Sequence, residues 1–330
     1  TKSAIFYDYL PDDGDVFGQG RRERIGELTD LYQGVVNAGN FDHHAAALSE
    51  VEVIFATWGM LRFTDHHFSQ MPGLKAVFYA AGNVKAFAEP LIQRDVKLVS
   101  AWGINAIPVS EMCLSQILLS LRGYFRAVQR YDEIKRHEAK VFPRSGVFGE
   151  TVGLIGLGKI GARLRTLLAE YPIKVIAYDP FLTTERAKAL DVESVSLQDV
   201  FERSLVVSNH IPDLESTQGV LTAAHFGAMR DGATFVNTGR GAQVVEEDLI
   251  QVFGDRPDLT ALLDVTSPEP PPKDSALWVL PNVIISPHVG GTIGDEVVRL
   301  ADCVIEEFER WSAGQPLEYE VTAEVLATMG

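Results

Sequence analysis

The stretch from residue 152 to residue 179 limits most strongly what this chain can fold into. Residues 152–155 form a short apolar run of the kind found in a strand that is covered on both faces. Helical periodicity begins immediately afterwards, and a second apolar run, 175–178, ends in Asp179. Three glycines lie between the first strand and the helix at G-x-G-x-x-G spacing: Gly156, Gly158 and Gly161. This order of strand, glycine turn, helix, strand and acid predicts a parallel α/β unit.

Each part of this motif suits the binding of a dinucleotide. Gly156 permits a tight strand-to-helix turn, and Gly158 lets a pyrophosphate approach the backbone. Gly161 allows close packing of helix on strand, while the free N–H groups at the start of the helix face the phosphates. Asp179 would accept hydrogen bonds from the adenosine ribose hydroxyls and would repel a 2′-phosphate. The motif therefore predicts a dinucleotide site that favours NAD over NADP.

Length and charge bound the class of protein. The 330 residues favour two domains, and 46% hydrophobic with 22% charged residues is typical of a globular protein. The net charge of -16 argues against nucleic acid or an anionic membrane as the main partner.

The cysteines and histidines indicate no metal site. Cys113 and Cys303 cannot form a disulfide framework or a C-x-x-C pattern, which is typical of a reducing cytosol. The adjacent histidines at 43–44 and 66–67 point apart and favour surface positions over metal ligands. No signal peptide and no apolar stretch near transmembrane length is apparent, so we expect a soluble, cytoplasmic protein.

Strand-like and helix-like segments alternate along the chain. This alternation predicts parallel, doubly wound sheets. Pro108 suits the first position of a long apolar helix, predicted at 109–128 as a bridge between domains. The charged segment 130–140 is predicted as an exposed helix end, and an amphipathic helix is predicted at 295–311. The predicted strands are 4–7, 51–56, 74–79, 96–100, 152–155, 175–178, 205–208, 233–237, 259–264 and 283–286, and a further helix is predicted at 22–31.

Three polar segments follow predicted strands in the second half of the chain, and they contain Arg240, Glu269 and His288. Carboxyl ends of parallel strands meet at one edge of a sheet, so these side chains can converge. A guanidinium can bind a carboxylate, and an imidazolium can protonate a carbonyl oxygen while a carboxylate behind it fixes its orientation. Taken singly, a surface arginine, a structural histidine and a solvated glutamate would be ordinary. Beside a dinucleotide motif, the set favours reduction of a 2-keto acid.

These motifs, in this order, resemble those of the NAD-dependent D-2-hydroxyacid dehydrogenases, from about Leu74 onward. The resemblance rests on the glycine motif and on five further segments: Asn209-His210-Ile211-Pro212, Asn237 to Gly241, Leu263-Asp264-Val265, Glu269-Pro270, and Leu277-Trp278 to Pro287-His288.

The resemblance implies a role for each matching residue. Arg240 would bind the substrate carboxylate and carbonyl, His288 would be the acid or base, and Glu269 would be its partner. Asp264 would hold the nicotinamide carboxamide. The remaining cofactor contacts would come from Gly156, Gly158, Lys159, Ile160, Gly161, Asp179, Pro180, His210, Ile211, Pro212, Thr217, Thr238, Gly239 and Gly290. Substrate contacts would come from Ala81, Gly82 and Asn105, together with Arg240. Trp58 lies before the matching part of the chain, and its place after a predicted strand favours the lining of the substrate pocket over the core.

The resemblance also implies the domain organisation. A flavodoxin-like substrate-binding domain would comprise residues 1–102 and 295–330, and an NAD-binding Rossmann domain would comprise residues 103–294. Catalysis would take place in the cleft between two Rossmann-like domains, and family members commonly dimerise through the nucleotide domain, so we expect a homodimer.

Two alternatives stay open. An NAD(H)-sensing binding protein on the same fold would carry the same residues, as related transcriptional corepressors do. The 2-keto acid is not identified, although Trp58, Met60 and Tyr79 favour an apolar substituent over a phosphate, with Arg62 and Lys85 as the possible phosphate partners. The turn Asn83-Val84-Lys85 departs from the family pattern and could reshape the substrate loop.

Overall fold

The structure is a computed structural model that describes residues 1–8, 15–129, 131 and 146–329. The described chain forms two compact units. Unit 1 comprises Thr1–Asn105 and Thr292–Met329, and unit 2 comprises Ala106–Gly291.

Unit 1 contains a five-stranded parallel sheet in the order β2-β1-β3-β4-β5, the order of flavodoxin-like folds. Its strands are β1 Lys2–Phe6, β2 Asp30–Val36, β3 Val53–Ala56, β4 Ala76–Tyr79 and β5 Lys97–Ser100. Its helices are Arg21–Leu28, Phe41–Leu48, Asp65–Gln70, Ala88–Ile92, Val298–Ser312 and Ala323–Thr328, with a 3₁₀ turn at Gly294–Val297.

Both faces of the unit 1 sheet are apolar because successive side chains of a strand point to opposite faces. Phe55 and Phe78 lie on one face and pack against Phe308, with ring centroids 5.4 and 5.7 Å away. Ile54 and Val77 lie in the apolar cluster on the other face. The strands predicted at 51–56 and 74–79 are therefore covered by apolar side chains on both faces of the sheet.

Unit 2 contains a seven-stranded parallel sheet in the order β12-β11-β10-β9-β6-β7-β8. Counted within the unit, this is the 3-2-1-4-5-6 order of Rossmann folds with one strand added at the edge. The strands are β6 Thr151–Ile155, β7 Lys174–Tyr178, β8 Glu193–Ser194, β9 Val206–Asn209, β10 Thr234–Asn237, β11 Thr260–Leu263 and β12 Val283–Ile285. The helices are Tyr124–Gln129, Lys159–Leu168, Thr184–Ala189, Leu197–Arg203, Ala223–Gly227 and Glu246–Asp255, with 3₁₀ turns at Glu215–Thr217, Gly241–Gln243 and Ala276–Trp278. The α/β class with two doubly wound parallel sheets is thus confirmed.

The long helix begins earlier than the sequence predicted. It spans Trp102–Leu121, so Pro108 lies inside it rather than at its first position, and that prediction was wrong. A proline at this place removes the N–H that would bond to the carbonyl of Ile104. The helix is retained because its residues from Val109 to Leu121 bury an apolar stripe in the core of unit 2.

This same helix corrects the expectation that no stretch approaches transmembrane length. Trp102–Leu121 has 20 residues and a mean hydropathy of 1.4, which on length and composition alone would suffice to cross a membrane. The core helix of a soluble protein meets the same two criteria.

One further local prediction was wrong in unit 1. The helix predicted at 22–31 ends at Leu28, and β2, which sequence reading missed, begins at Asp30. Thr64 caps the helix Asp65–Gln70. The segment 130–140 lies, except for residue 131, outside the described residues.

Candidate dinucleotide and acid–base site

The glycine turn after β6 has the geometry that the sequence predicted. Gly156 has a φ of 87°, and its N–H donates to the Tyr178 carbonyl at 2.8 Å. A Cβ on Gly161 would lie 2.1 Å from the Gly156 carbonyl oxygen. Only glycine therefore allows the helix Lys159–Leu168 to start this close to the strand.

The start of that helix fits a phosphate. A Cβ built on Gly158 meets nothing within 4 Å, so space lies open beside the turn. Among the described residues, the backbone N–H groups of Gly158 and Ile160 have no acceptor. Free N–H groups at a helix N-terminus form an anion site, which is what a dinucleotide pyrophosphate requires.

Asp179 lies half-exposed at the end of β7, beside the glycine turn. Its Oδ2 accepts from the Leu157 N–H at 2.7 Å and its Oδ1 from the Phe181 N–H at 2.8 Å. These bonds fix the carboxylate, and each oxygen keeps a lone pair for another donor. Pro180 is exposed next to it.

A buried amide network lies under the glycine turn. Asn209 donates through Nδ2 to Asn237 Oδ1 at 3.0 Å and to Gln243 Oε1 at 2.6 Å. Gln243 in turn donates to the Ile211 carbonyl at 2.6 Å. Gly239 approaches this network closely, since a Cβ there would be 2.7 Å from Gln243 Oε1. The network joins the ends of β9 and β10.

His210 follows β9 and is directed into the interior. Its Nε2 pairs with Ser208 Oγ at 2.9 Å and its Nδ1 approaches Thr238 Oγ1 at 3.4 Å. Burial lowers its pKa to about 3, so the imidazole is neutral. Thr238 also pairs with Cys113 Sγ at 3.2 Å. The side chains of His210 and Thr238, which were predicted to bind the cofactor, thus pair with buried side chains of unit 2.

The loop after His210 is closed by Thr217. Its Oγ1 donates to the Pro212 carbonyl at 2.7 Å and accepts from the Leu214 N–H at 2.9 Å. Gly156 borders this segment, because a Cβ there would be 3.0 Å from the His210 carbonyl and the Ile211 N.

Asp264 anchors the loop that carries the histidine. This carboxylate is 3% exposed at the end of β11. Its Oδ1 accepts from Ser286 Oγ and from the Val289 N–H at 2.9 Å, and its Oδ2 accepts from the Gly290 N–H at 2.8 Å. The His288 N–H donates to the Asp264 carbonyl at 3.1 Å. One buried aspartate therefore fixes the loop on both sides of His288.

His288 and Glu269 form the predicted pair. His288 Nδ1 lies 2.7 Å from Glu269 Oε1, and both side chains are about half-exposed. His288 has a φ of 54°, a conformation that a bulky residue adopts only where its surroundings impose it. The pairing leaves Nε2 on the opposite side of the ring, where it can exchange a proton with a ligand.

Arg240 lies at the end of β10. Its Nη1 donates to the Gly239 carbonyl at 2.7 Å and its backbone N–H to Gln243 Oε1 at 3.1 Å. Glu269 and His288 are not among its hydrogen-bond partners within the described part of the chain. The guanidinium is half-buried and keeps donors for an anionic ligand.

The predicted substrate residues lie in unit 1. Ala81 is buried, Gly82 is half-exposed, and Asn105 Oδ1 accepts from the Thr292 N–H at 2.9 Å. Trp58 is half-buried against apolar clusters of the unit. Tyr79, which had been expected to contribute an apolar pocket wall, is 5% exposed and packs on Phe87, so it belongs to the core.

Sequence reading missed the residues that support the site. Gln243, Ser286 and Thr292 bond to predicted site residues, and Ser100 bonds to the loop of Ala81 and Gly82. Ser286 could have been found, since it directly precedes Pro287-His288. Gln243 lies only three residues after Arg240, whereas Ser100 and Thr292 lie far along the chain from their partners.

The paired histidines are engaged in unit 1. His66 Nε2 pairs with Asp42 Oδ1 at 2.8 Å, and His44 Nδ1 pairs with the Tyr32 hydroxyl at 2.8 Å. His67 caps its helix through the Thr64 N–H at 3.0 Å. In the described ranges, no three His, Cys, Asp or Glu side chains group as metal ligands.

The Rossmann strand order, the glycine turn with open N–H groups and the carboxylate after β7 define unit 2 as a dinucleotide-binding unit. The sequence profile described as "D-isomer specific 2-hydroxyacid dehydrogenase, NAD binding domain" matches residues 114–290. The chain belongs to the D-isomer-specific 2-hydroxyacid dehydrogenase family, and its dinucleotide is NAD.

Relatives agree with this assignment, and a solved structure shares the fold. The chain is 31% identical to D-3-phosphoglycerate dehydrogenase of Archaeoglobus fulgidus over 69% of its length, but spans only 43% of that relative. It is 31% identical to hydroxypyruvate reductase of Thermotoga maritima, over 65% of this chain and 70% of that protein. The crystal structure of a phosphoglycerate oxidoreductase from Rhizobium etli covers 98% of this chain and 99% of its own with a TM-score of 0.79, at 22% identity. The structural likeness shows the shared fold.

Proposed function

We propose that this chain is an NAD(H)-dependent oxidoreductase that interconverts a 2-keto acid and a D-2-hydroxy acid. The observation that carries the proposal is the His288–Glu269 pair at 2.7 Å. This acid–base pair stands on a loop that Asp264 anchors in the dinucleotide-binding unit. An imidazole held by a carboxylate in a dinucleotide-binding unit is suited to proton transfer during carbonyl reduction.

The two domains would bind different ligands. Residues 103–294 would form the NAD-binding domain, and residues 1–102 with 295–330 would form the substrate-binding domain. The match of the NAD-binding profile to residues 114–290 supports the first assignment, and the flavodoxin-like sheet order supports the second.

The dinucleotide site would use the backbone of the helix start and the carboxylate after β7. The N–H groups at Gly158 to Ile160 would bind the pyrophosphate, and Asp179 would bind the ribose hydroxyls through its remaining lone pairs. Asp264 would accept from the nicotinamide carboxamide on Oδ2, which the loop leaves with one lone pair. Bound NADH supplies the hydride.

Side chains of this protein would bind the substrate carboxylate and transfer the proton. Arg240 would bind the substrate carboxylate through the donors that its Gly239 contact leaves free. His288 would give the proton on Nε2 to the carbonyl oxygen in reduction and take it back in oxidation. Glu269 would hold Nδ1, and so fix the ring and stabilise the imidazolium.

The test is oxidation of NADH with glyoxylate, hydroxypyruvate, pyruvate, phenylpyruvate and branched-chain keto acids, each repeated with NADPH. We expect turnover with at least one 2-keto acid that carries an uncharged substituent, and a preference for NADH. His288→Ala should lose turnover, and Arg240→Ala should lose turnover while NADH binding survives. A phosphorylated keto acid is added to the panel, and its turning over best would refute the apolar-substituent prediction.

Two results would redirect the proposal. Loss of NADH binding in Arg240→Ala would contradict its assigned role. Tight NADH binding with no turnover across the panel would favour the alternative, an NAD(H)-sensing binding protein. We also propose a cytoplasmic homodimer that associates through the nucleotide-binding domain. Sedimentation analysis of the purified chain would test whether it is a dimer.

A further inference from the structure

Ser100, the last residue of β5, holds the loop that follows β4. Its side chain is fully buried. Its hydroxyl lies 2.8 Å from the Ala81 carbonyl oxygen and 2.6 Å from the Gly82 carbonyl oxygen, and it donates to both in a three-centre bond. A single buried hydroxyl thus fixes two consecutive peptide groups.

Fixing these two carbonyls also fixes two N–H groups. In a trans peptide the C=O and the following N–H point in opposite directions. The N–H groups of Gly82 and Asn83 are therefore turned away from Ser100. Neither has an acceptor among the residues that the structure describes. Two adjacent amide donors at the carboxyl end of a strand are suited to an anion.

A third donor is directed toward the same loop. Asn105 Oδ1 lies 2.9 Å from the Thr292 N–H and 2.8 Å from Thr292 Oγ1. A backbone N–H can only donate, so the atom of the Asn105 amide that faces it must be the oxygen. Nδ2 then faces the other way, and a Cβ on Gly82 would lie 3.7 Å from it.

We propose that Ser100 and Thr292 are positioning residues for the substrate carboxylate. Ser100 orients the N–H groups of Gly82 and Asn83, and Thr292 orients Nδ2 of Asn105, so that three donors face one anion. Neither positioning residue touches the substrate. The inference rests on the proposed function, because the carboxylate is that of the 2-keto acid.

The first measurement is binding of oxamate, a carboxylate that cannot be reduced, to the NADH-loaded protein by calorimetry. Ser100→Ala should weaken oxamate binding about tenfold, since the donors lose their fixed orientation. It should raise KM for the keto acid by a similar factor and leave the Kd for NADH unchanged. Ser100→Thr keeps the hydroxyl and should restore most of the oxamate affinity.

A matched control is Ser49→Ala, which removes an exposed serine of the same unit that also donates to a carbonyl. It should change none of these constants. Thr292→Val, which removes the hydroxyl and keeps the N–H, should weaken oxamate about threefold and provides a second variant if Ser100→Ala does not fold.

The outcomes separate the two proposals. Wild-type protein that binds oxamate but reduces no keto acid would refute the proposed function, and the Ser100→Ala comparison would still decide the positioning role. Equal oxamate affinity in wild type and both variants would overturn the inference, as would no oxamate binding at all. Equal weakening of oxamate and NADH would indicate a purely structural role and would also overturn it.

Discussion

Buried His210 makes the stability of unit 2 depend on pH. Its folded pKa is about 3 because of burial, whereas an unfolded histidine titrates near 6.5. Between these values the unfolded chain binds one proton more than the folded chain, so the free energy of unfolding rises with pH. The contribution of neutral His210 to the free energy of unfolding is complete above about pH 6.5, the unfolded pKa, and is lost as the pH falls toward the folded pKa.

The size of the loss in unfolding free energy follows from the linkage between proton binding and folding. At pH 5 the folded imidazole is still neutral, so the unfolded chain alone sets the change. Going from pH 7.5 to pH 5 should then lower the free energy of unfolding by about 2 kcal/mol through His210. Burial also lowers the pKa of His225, which therefore adds to the slope of unfolding free energy against pH. The contribution of His210 must be measured as the difference in this slope between wild type and a His210 variant.

His210→Gln provides that difference, because glutamine cannot titrate but can still bond to Ser208. Hydrogen exchange of peptides from β6 and β9, followed across a urea series, would report unit 2 specifically. We expect His210→Gln to be less stable than wild type at pH 7.5 but to lose about 2 kcal/mol less between pH 7.5 and pH 5. The exposed His43→Gln should keep the wild-type slope. Equal slopes in wild type and His210→Gln would refute the reasoning.

Three further predictions follow from the described geometry. Gly161→Ala places a Cβ against the Gly156 carbonyl, so NADH binding should be lost and the melting temperature lowered; unchanged NADH titration would contradict the tight turn. Asp264→Asn turns an amide N–H toward backbone donors and should cost about 1–3 kcal/mol in unfolding free energy, with kcat reduced more than the Kd for NADH; urea unfolding and steady-state rates would check this. Burial raises the pKa of Cys113 to about 11 and that of Cys303 to about 12, so a thiol reagent should modify neither at pH 8 until urea is added, and fast native labelling would argue against their burial.

The nucleotide-binding half was predictable because its signals are local. Gly156, Gly158 and Gly161 lie within one turn, and their neighbours in sequence are their neighbours in space. Strand ends likewise predicted that Glu269 and His288 lie close together, because parallel strands bring their carboxyl ends to one edge.

The misses arose where tertiary packing outweighed local preference. Pro108 is a helix-start residue by propensity, but burial of the stripe that begins at Val109 extends the helix in front of it. β2 contains Gln33 and Gly34, which weaken a strand signal, and it forms because β1 pairs with it. Tyr79 followed the pattern of a pocket residue, yet period-two alternation directs it into the core.

The supporting contacts of Ser100 and Thr292 could not be read from the sequence. Ser100 and Ala81 are separated by nineteen positions and Asn105 and Thr292 by 187. The presence of a serine or threonine in a sequence does not indicate which distant group its hydroxyl bonds to. Only the fold shows which of them is buried against a loop carbonyl or an amide.

Unit 1 is built from both ends of the chain, and this has a consequence for its synthesis on the ribosome. When Asn105 leaves the ribosome, the helix Val298–Ser312 that covers Phe55 and Phe78 has not been made. At bacterial-type elongation rates that helix follows roughly 10–40 s later. During this interval unit 2 can fold as one continuous segment, while one aromatic face of the unit 1 sheet stays open. The nascent chain therefore exposes an apolar surface that the finished protein covers.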